Sequence, residues 1–155
     1  MAAIIDEALE LKPGLKVLEV GGGSGYHAAT VAEQIQPNGH VYTIELLMSL
    51  VETARKNLER AGYSNIVTIV HGDGSLGYQD RAPYDRILVT AAAPKIPEPL
   101  IHQLVTGGIL VIPVGGRWFP QELIRVKKDS SGQVHKKSLG GVAFVPLVGK
   151  NGFES

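Results

Sequence analysis

The chain of 155 residues contains no cysteine. Disulfide bonds, a thiolate nucleophile and a zinc site built on cysteine ligands are therefore excluded, and the composition is compatible with a reducing compartment. Neither sign of charge is in excess, because 15 Lys and Arg balance 15 Asp and Glu. No overall positive field exists to attract nucleic acid or an anionic membrane, so the charge balance argues against both partners.

Long apolar runs are lacking as well. No stretch approaches the roughly 20 residues that cross a bilayer, and the N-terminus has neither the basic nor the apolar region of a signal peptide. These absences predict a cytoplasmic protein. Hydrophobic residues make up 44% and charged residues 19% of the chain, which is typical of a folded protein, and the length predicts a single domain over residues 1–155.

Strand and helix patterns alternate along the chain. Apolar residues at three- and four-residue steps predict helices, whereas short apolar runs bounded by turn residues predict strands. The predicted helices cover residues 3–11, 26–35, 46–61 and a short segment that ends at Leu104, and the predicted strands cover 16–20, 41–44, 66–70, 86–90, 109–114, 122–127 and 141–147. This order predicts an α/β fold: a parallel sheet with helices on both faces, finished by an antiparallel hairpin that turns at residues 129–132.

A glycine-rich loop follows the first predicted strand, with Gly21, Gly23 and Gly25 at alternate positions. In open α/β sheets the ligand binds beyond the carboxyl ends of the strands, and glycines let it approach the backbone closely. A dinucleotide fingerprint requires a small residue at position 26, where this chain has Tyr26. The spacing therefore disfavours a nicotinamide dehydrogenase.

Acidic residues accompany the ends of three successive predicted strands. Glu19 precedes the glycine loop, where a carboxylate suits a ligand that carries an ammonium group. Glu45 ends the second strand, where it can accept hydrogen bonds from both hydroxyls of a ribose. After the third strand, Asp73 can accept from an adenine amino group, while Gly74 leaves room for the ring. These residues predict a site for a cationic adenosine ligand without phosphates, and S-adenosylmethionine fits that description best.

Other chemistries find little support in the sequence. The five histidines, at positions 27, 40, 71, 102 and 135, lack metal-binding spacing, so no metal site is predicted. Ser24 does not stand in the Gly-x-Ser-x-Gly frame of a hydrolase nucleophile, and no base is close to it in the sequence.

Several motifs resemble those of the protein-L-isoaspartate O-methyltransferases. Residues 17–26 resemble the family's cofactor motif, and residues 71–78 and 82–94 resemble its central signature. Residues 140–147 are similar to its C-terminal strand. The motifs follow in order over nearly the whole chain, which is therefore identified as a member of this family.

The resemblance implies a Rossmann-like methyltransferase sandwich, with a mostly parallel seven-stranded sheet and a C-terminal antiparallel hairpin. It implies transfer of a methyl group from S-adenosyl-L-methionine to the free carboxylate of isoaspartyl residues in damaged peptides and proteins, leaving S-adenosyl-L-homocysteine. By the same resemblance, Gly21 and its neighbouring glycines would flank the methionine moiety, Glu45 and Leu46 the ribose, and Asp73 and Gly74 the adenine.

One feature of the family is expected to be missing. Its members carry an N-terminal Gly-Gln-Thr-Ile-Ser-like stretch that lines the active site and supplies a hydroxyl, and this chain begins just after it, so no catalytic residue is assigned. The chain is expected to be a monomer, and self-association is expected only if the chain is truncated, because the shortened wall would then expose apolar surface. Two alternatives stay open: a module that binds the cofactor without turnover, and a methyltransferase that acts on a small molecule.

Overall fold

The computed structural model describes residues 1–155. Its four α-helices are Ala2–Leu9 (α1), Tyr26–Ile35 (α2), Met48–Ala61 (α3) and Glu98–His102 (α4), and short 3-10 turns lie at Gly74–Leu76 and Gln79–Arg81. The seven strands are Lys16–Val20 (β1), His40–Glu45 (β2), Val67–His71 (β3), Tyr84–Val89 (β4), Leu104–Gly115 (β5), Gln121–Lys128 (β6) and Val134–Val142 (β7).

All seven strands form one sheet, in the order β3-β2-β1-β4-β5-β6-β7. The first five strands of the chain pair in parallel, whereas β6 and β7 are antiparallel to their neighbours. The order reverses on either side of β1, and ligands of open α/β sheets bind at such a switch point. The predicted architecture, a mostly parallel seven-stranded sheet with a C-terminal antiparallel hairpin, is confirmed.

The central strand β1 shows how the sheet divides the core. Its Val17 is buried in an apolar cluster that includes residues of α1 and α2, and its Leu18 is buried in a second cluster that includes Leu100 of α4. Successive strand residues point to opposite faces, so an unbroken apolar run is what a strand covered on both sides requires. Each fully buried aliphatic side chain stabilises the fold by about 1.5–3 kcal/mol.

A buried arginine joins α1 to the sheet. Arg86 of β4 donates from Nε to the carbonyl of Leu9 and from Nη2 to that of Glu10, at 3.4 Å for the second contact. These carbonyls end α1 and have no partners within the helix. Burial lowers the pKa of Arg86 from its usual value, although the neighbouring acids Asp85 and Glu10 oppose this. The guanidinium therefore caps the helix at the cost of its own desolvation.

The prediction of the last strand is wrong. The second strand of the hairpin is β7, at Val134–Val142, and not at residues 141–147. β7 is an edge strand, and its exposed residues 135–138 show no apolar alternation from which it could be predicted. The apolar run that follows instead crosses the end of β4: Ala92 donates to the carbonyl of Val145 and accepts from Leu147, both at 2.8 Å.

The fifth strand also begins earlier than predicted. β5 starts at Leu104, whereas the sequence predicts strand only from residue 109 and helix up to Leu104. Tyr84 donates its backbone N–H to the carbonyl of Gln103 at 2.7 Å. Pairing with β4 at this point ends α4 after five residues.

Replacing Arg86 with lysine tests the cap. A lysine side chain would keep the charge but lose the planar set of donors, leaving carbonyls of α1 unpaired. We expect the Arg86→Lys change to lower the free energy of unfolding by about 1–3 kcal/mol, measured by urea denaturation. The matched change Arg125→Lys alters an ion pair to Glu10 of 3.8 Å near the surface and should cost less than about 1 kcal/mol. Equal losses in the two variants would show that Arg86 has no capping role.

Candidate functional site

A cavity of about 430 Å³ opens at the carboxyl ends of β1, β2 and β4. Its wall is formed by the glycine loop, the β2–α3 connection, the ends of β3 and β4, and the C-terminal run, through Val20, Gly21, Gly23, Ile44, Glu45, Leu46, Leu47, Leu50, Gly74, Thr90, Ala91, Val145, Pro146, Leu147 and Val148. This volume is in the range of small-molecule sites, and the place is the one expected for a ligand of an open α/β sheet. A shallow cavity of about 450 Å³ beside α1 lies away from these strand ends.

The glycine loop forms one wall of this cavity. Gly21 and Gly23 line it with φ angles of 94° and 53°, a region that side chains other than glycine rarely adopt. A Cβ atom added to Gly23 would meet no atom within 4 Å, so the backbone there is open to a ligand. A Cβ atom added to Gly21 would lie 2.8 Å from Oγ1 of Thr90. Gly23 therefore leaves room for a ligand to approach the backbone, whereas Gly21 leaves room for Thr90 to pack against the loop.

Gly25, which the sequence also predicts to contact the ligand, lies elsewhere. It is not in the cavity wall, and an added Cβ atom would lie 3.1–3.3 Å from Leu58 and Ala54 of α3. Its φ angle is 87°. In this structure the absence of a side chain at Gly25 allows α2 and α3 to pack closely.

Glu45 is the one ionisable side chain in the cavity wall. Its Oε1 accepts a hydrogen bond from the backbone N–H of Gly23 at 2.9 Å, and its Oε2 accepts from that of Leu47 at 3.0 Å. The carboxylate is buried, and each oxygen keeps a second acceptor position. A ligand with two adjacent hydroxyl groups, such as a ribose, fits these positions. The predicted neighbour Leu46 also lines the cavity.

Asp73 is not itself among the lining residues, but its neighbour Gly74 is. Its Oδ1 accepts from the backbone N–H and from the hydroxyl of Ser75, at 2.9 and 2.7 Å, and its Oδ2 accepts from the N–H of Lys150 at 2.8 Å. A carboxylate offers about four acceptor positions, so about one is left for a ligand. Ser75 is fully buried and also accepts from the N–H of Asn151 at 3.0 Å.

Two residues of the site are missed by the sequence reasoning. Ser75 orients Asp73, and Thr90 lines the cavity while its Oγ1 donates to the carbonyl of Gly21 at 2.7 Å. Thr90 thereby joins the end of β4 to the glycine loop. Both belong to motifs that resemble the family signature, but only their partners across the sheet show what they do.

Glu19 does not reach the cavity wall, although the sequence predicts that it faces the ligand. It lies beneath the glycine loop, 1% exposed, and accepts from the hydroxyl of Thr43, while its Oε2 has no hydrogen-bond partner. Burial raises the pKa of Glu19 to about 7, against the lowering effects of the Thr43 hydrogen bond and of nearby His27. His27 is itself paired with Asp6 at 2.8 Å. The chain thus keeps a buried acid close behind the loop.

Two other kinds of feature are absent from the structure. No group of three or more His, Asp or Glu side chains is arranged to hold a metal ion. None of the helices has both the length and the apolar character needed to cross a membrane.

Comparison with known proteins identifies the family. The family model described as Protein-L-isoaspartate(D-aspartate) O-methyltransferase matches residues 1–152. The chain belongs to this family. The resemblance inferred from the sequence motifs is therefore confirmed.

Relatives within the protein-L-isoaspartate O-methyltransferase family extend beyond the match. The protein of this name from Methanothermobacter thermautotrophicus is 56% identical over 154 residues, which cover 99% of this chain and 70% of that protein. The one from Methanosarcina mazei is 56% identical over 153 residues, covering 99% and 62% respectively. The chain thus spans 62 to 70% of the length of these two relatives.

Solved structures agree in fold. A protein-L-isoaspartate O-methyltransferase that is 33% identical superposes with a TM-score of 0.86, over 97% of this chain and 47% of that chain. A Plasmodium falciparum protein assigned to the same family, solved with S-adenosyl-L-homocysteine, is 26% identical with a TM-score of 0.79, over 94% and 70%. An O-methyltransferase of Thermotoga maritima, 19% identical over 92% of this chain and 62% of that chain with a TM-score of 0.65, shares the fold.

Replacing Glu19 with glutamine tests the buried acid. Folded Glu19 holds its proton up to about pH 7, whereas the ordinary pKa is 4.5. Below that ordinary value both states are protonated. Between the two values the unfolded state loses its proton first, so wild-type stability falls as the pH rises. We expect the free energy of unfolding of Glu19→Gln to rise relative to that of the wild type as the pH passes through this window, by up to about 3 kcal/mol.

The measurement is urea unfolding of both proteins at about pH 4.5, 6 and 8, since the window follows from the two pKa values. Glu52→Gln, on the exposed face of α3, controls for the loss of one negative charge. A stability difference between the Glu19 variant and the wild type that does not change with pH would contradict a raised pKa.

Proposed function

We propose that this cavity binds S-adenosyl-L-methionine and that the chain transfers its methyl group to the free carboxylate of isoaspartyl residues in damaged peptides and proteins. The observation that carries the proposal is that Glu45 is the one ionisable residue among those that line the cavity. A ligand with phosphates would need cationic side chains or clustered N–H donors there. A carboxylate instead favours a cation and accepts hydrogen bonds from a ribose.

The residues present fit this cofactor. Glu45 would accept from the ribose hydroxyls, beside Leu46, and Gly21 and Gly23 would let the methionine moiety approach the backbone. The remaining acceptor position of Asp73 would take the adenine amino group, with Gly74 leaving room for the ring. Glu19 and Gly25 support the loop from outside the wall, and we propose no direct contact for either.

The chemistry asks for alignment more than for proton transfer. S-adenosyl-L-methionine supplies a methyl group already activated by the sulfonium, and the acceptor carboxylate is already an anion. A general base is therefore unnecessary, and the wall has only to align the two groups. Nine of the 15 lining residues are hydrophobic, and such a wall would help to keep water away from the reacting atoms. Ala91 and residues 145–148 supply apolar wall near the end of β4.

Because the relatives are longer than this chain, two other functions also have to be tested. A chain that binds the cofactor without transferring methyl groups, or one that methylates a small molecule, would use the same cofactor cavity. An assay with an isoaspartyl peptide, and with the same peptide carrying ordinary aspartate, separates these outcomes. Transfer to the isoaspartyl peptide alone would support the repair activity. Cofactor binding with no transfer would show that the chain binds the cofactor without turnover.

We also propose that residues 1–155 act as one domain, as a monomer, in the cytoplasm, where the proteins that it would repair are made. Nucleic acids and membranes are not among the proposed partners, in line with the balanced charge. Exposed Ile4, which is 50% accessible at the start of the chain, is a place where self-association could begin. Light scattering over a range of concentrations measures the oligomeric state directly.

Removing the carboxylate of Glu45 should weaken cofactor binding. We expect Glu45→Ala to raise the Kd for S-adenosyl-L-homocysteine by about 100-fold, because two charge-assisted hydrogen bonds to the ribose are lost and Gly23 is released. Calorimetric titration of the purified chain measures this. Glu52→Ala, an exposed residue of α3, is the matched control. Wild-type affinity in the Glu45 variant would rule out the proposed ribose contact.

The contact with adenine can be tested by changing the ligand as well as the protein. We expect Asp73→Ala to weaken S-adenosyl-L-homocysteine binding by about 10-fold, the worth of one charge-assisted hydrogen bond, and Ser75→Ala to weaken it by less. Neither variant should weaken the binding of S-inosyl-L-homocysteine, which has a carbonyl oxygen in place of the amino group. Asp80→Ala, in an exposed turn, is the control. Equal losses for the two ligands would mean that Asp73 supports only the loop.

A further inference from the structure

The loop between β5 and β6, residues 116–120, carries two exposed aromatic side chains. Trp118 is 60% and Phe119 74% accessible to solvent. Aromatic residues are only 6% of this chain, and Trp118 is its single tryptophan. Side chains of this kind each bury about 150–250 Å² when they pack, and adjacent exposed ones are typical of interaction sites. We refer to residues 116–120 as the aromatic loop.

The aromatic loop is fastened at its base. Gly116 donates its backbone N–H to the carbonyl of Pro120 at 3.0 Å. The buried side chain of Gln121 donates to the carbonyls of Gly116 and Phe144, both at 3.1 Å. Arg117 donates to the carbonyl of Glu154 at 2.8 Å. The two aromatic rings are therefore presented by a loop with a fixed base, which reduces the entropy lost when a partner binds.

Further backbone hydrogen bonds join the base of the aromatic loop to the segments that line the cavity. Gly115, just before the loop, donates to the carbonyl of Ala93 at 3.0 Å, and Ala92 donates to that of Val145 at 2.8 Å. Val145 is the residue after Phe144, whose backbone is hydrogen-bonded to the side chain of Gln121. It lines the cavity and is also 64% exposed, so it belongs to both the cavity wall and the outer surface. The base of the aromatic loop and Val145 are thus held close to each other through Gln121 and Phe144.

We propose that Trp118, Phe119 and Val145 form a docking surface for apolar residues next to the isoaspartyl residue of a substrate polypeptide. This inference rests on the proposed function. The acceptor carboxylate belongs to a substrate polypeptide that continues on both sides of the isoaspartyl residue and therefore extends out of the cavity. Apolar side chains beside the cavity wall are in position to contact its neighbouring residues. Tryptophan and phenylalanine are enriched at interfaces, and tryptophan often dominates their affinity.

The size of the surface favours a short peptide over a second copy of this chain. The two aromatic side chains together offer roughly 300–500 Å², to which Val145 adds a smaller area. A stable dimer buries about 800 Å² on each partner, so this surface alone is too small. An extended peptide advances about 3.3 Å per residue, and two or three residues beside the isoaspartyl group would cover the rings.

The single tryptophan allows a direct measurement. The wild-type chain, saturated with S-adenosyl-L-homocysteine, is titrated with an isoaspartyl peptide that has phenylalanine and leucine beside the isoaspartyl residue, and with the same peptide carrying glycine there. We expect the apolar peptide to shift Trp118 emission to shorter wavelength and to bind at least about 10-fold more tightly, as burial of one large side chain predicts. In Phe119→Ala the preference should fall to less than about 3-fold, with the affinity for S-adenosyl-L-homocysteine unchanged.

Val105→Ala is the matched control, because Val105 is half-buried and lies at the opposite end of β5. This variant should keep the full preference for the apolar peptide. Unchanged Trp118 emission, or equal affinity for both peptides, would overturn the docking surface, whereas methylation of the glycine peptide would still uphold the proposed function. Failure to bind S-adenosyl-L-homocysteine would overturn both. Self-association that Trp118→Ala abolishes would assign the surface to a second copy and overturn the inference.

Discussion

The pair of hydrogen bonds that Glu45 accepts from the backbone of Gly23 and Leu47 holds the site together. A loop with three glycines at positive φ has much conformational freedom, and something must hold it in one form. Bonds to a charged acceptor are about twice as strong as neutral ones, which suits this task. Since Glu45 ends β2, and β2 is in parallel register with β1, pairing within the sheet decides where the carboxylate lies. The loop, the start of α3 and the cavity wall then follow from the position of this one side chain.

The glycine loop lies between two acids. Burial chiefly raises the pKa of Glu19, and the negative charge of Glu45 adds to the effect. His27, paired with Asp6, partly offsets it from the side of α2. Glu19 therefore loses its proton only near pH 7, and a positive charge at the loop would favour its ionised form. The arrangement is thus electrostatically suited to a cationic ligand even before any contact is considered.

Most of the fold could be predicted from the sequence, because buried parallel strands and amphipathic helices leave a clear pattern. The exceptions have physical reasons. β7 lies at an edge with exposed residues on it, so its sequence shows no alternation, and the apolar run after it reads as a strand although it crosses the end of β4. In the site, the positions of Glu45 and Gly23 in the cavity wall could be predicted, because both residues lie just at or after the end of a strand. Glu19 could not be placed, because a sequence does not show on which side of its strand a carboxylate points.

The cavity wall draws on residues 20–23, 44–50, 74, 90–91 and 145–148, segments that are far apart in the chain. Asp73 is bonded to Lys150, 77 positions away. Parallel pairings over such separations are slow to form, because closing a long loop costs entropy before the stabilising contacts are made. A chain in which these segments have not yet come together lacks the complete cavity wall. Ligand capture is tied to completion of the whole sheet, and a ligand at about 100 times its Kd would stabilise that complete state by about 2.7 kcal/mol. For a protein proposed to repair aged polypeptides, occupancy of its own cofactor site would act as a safeguard against its own unfolding.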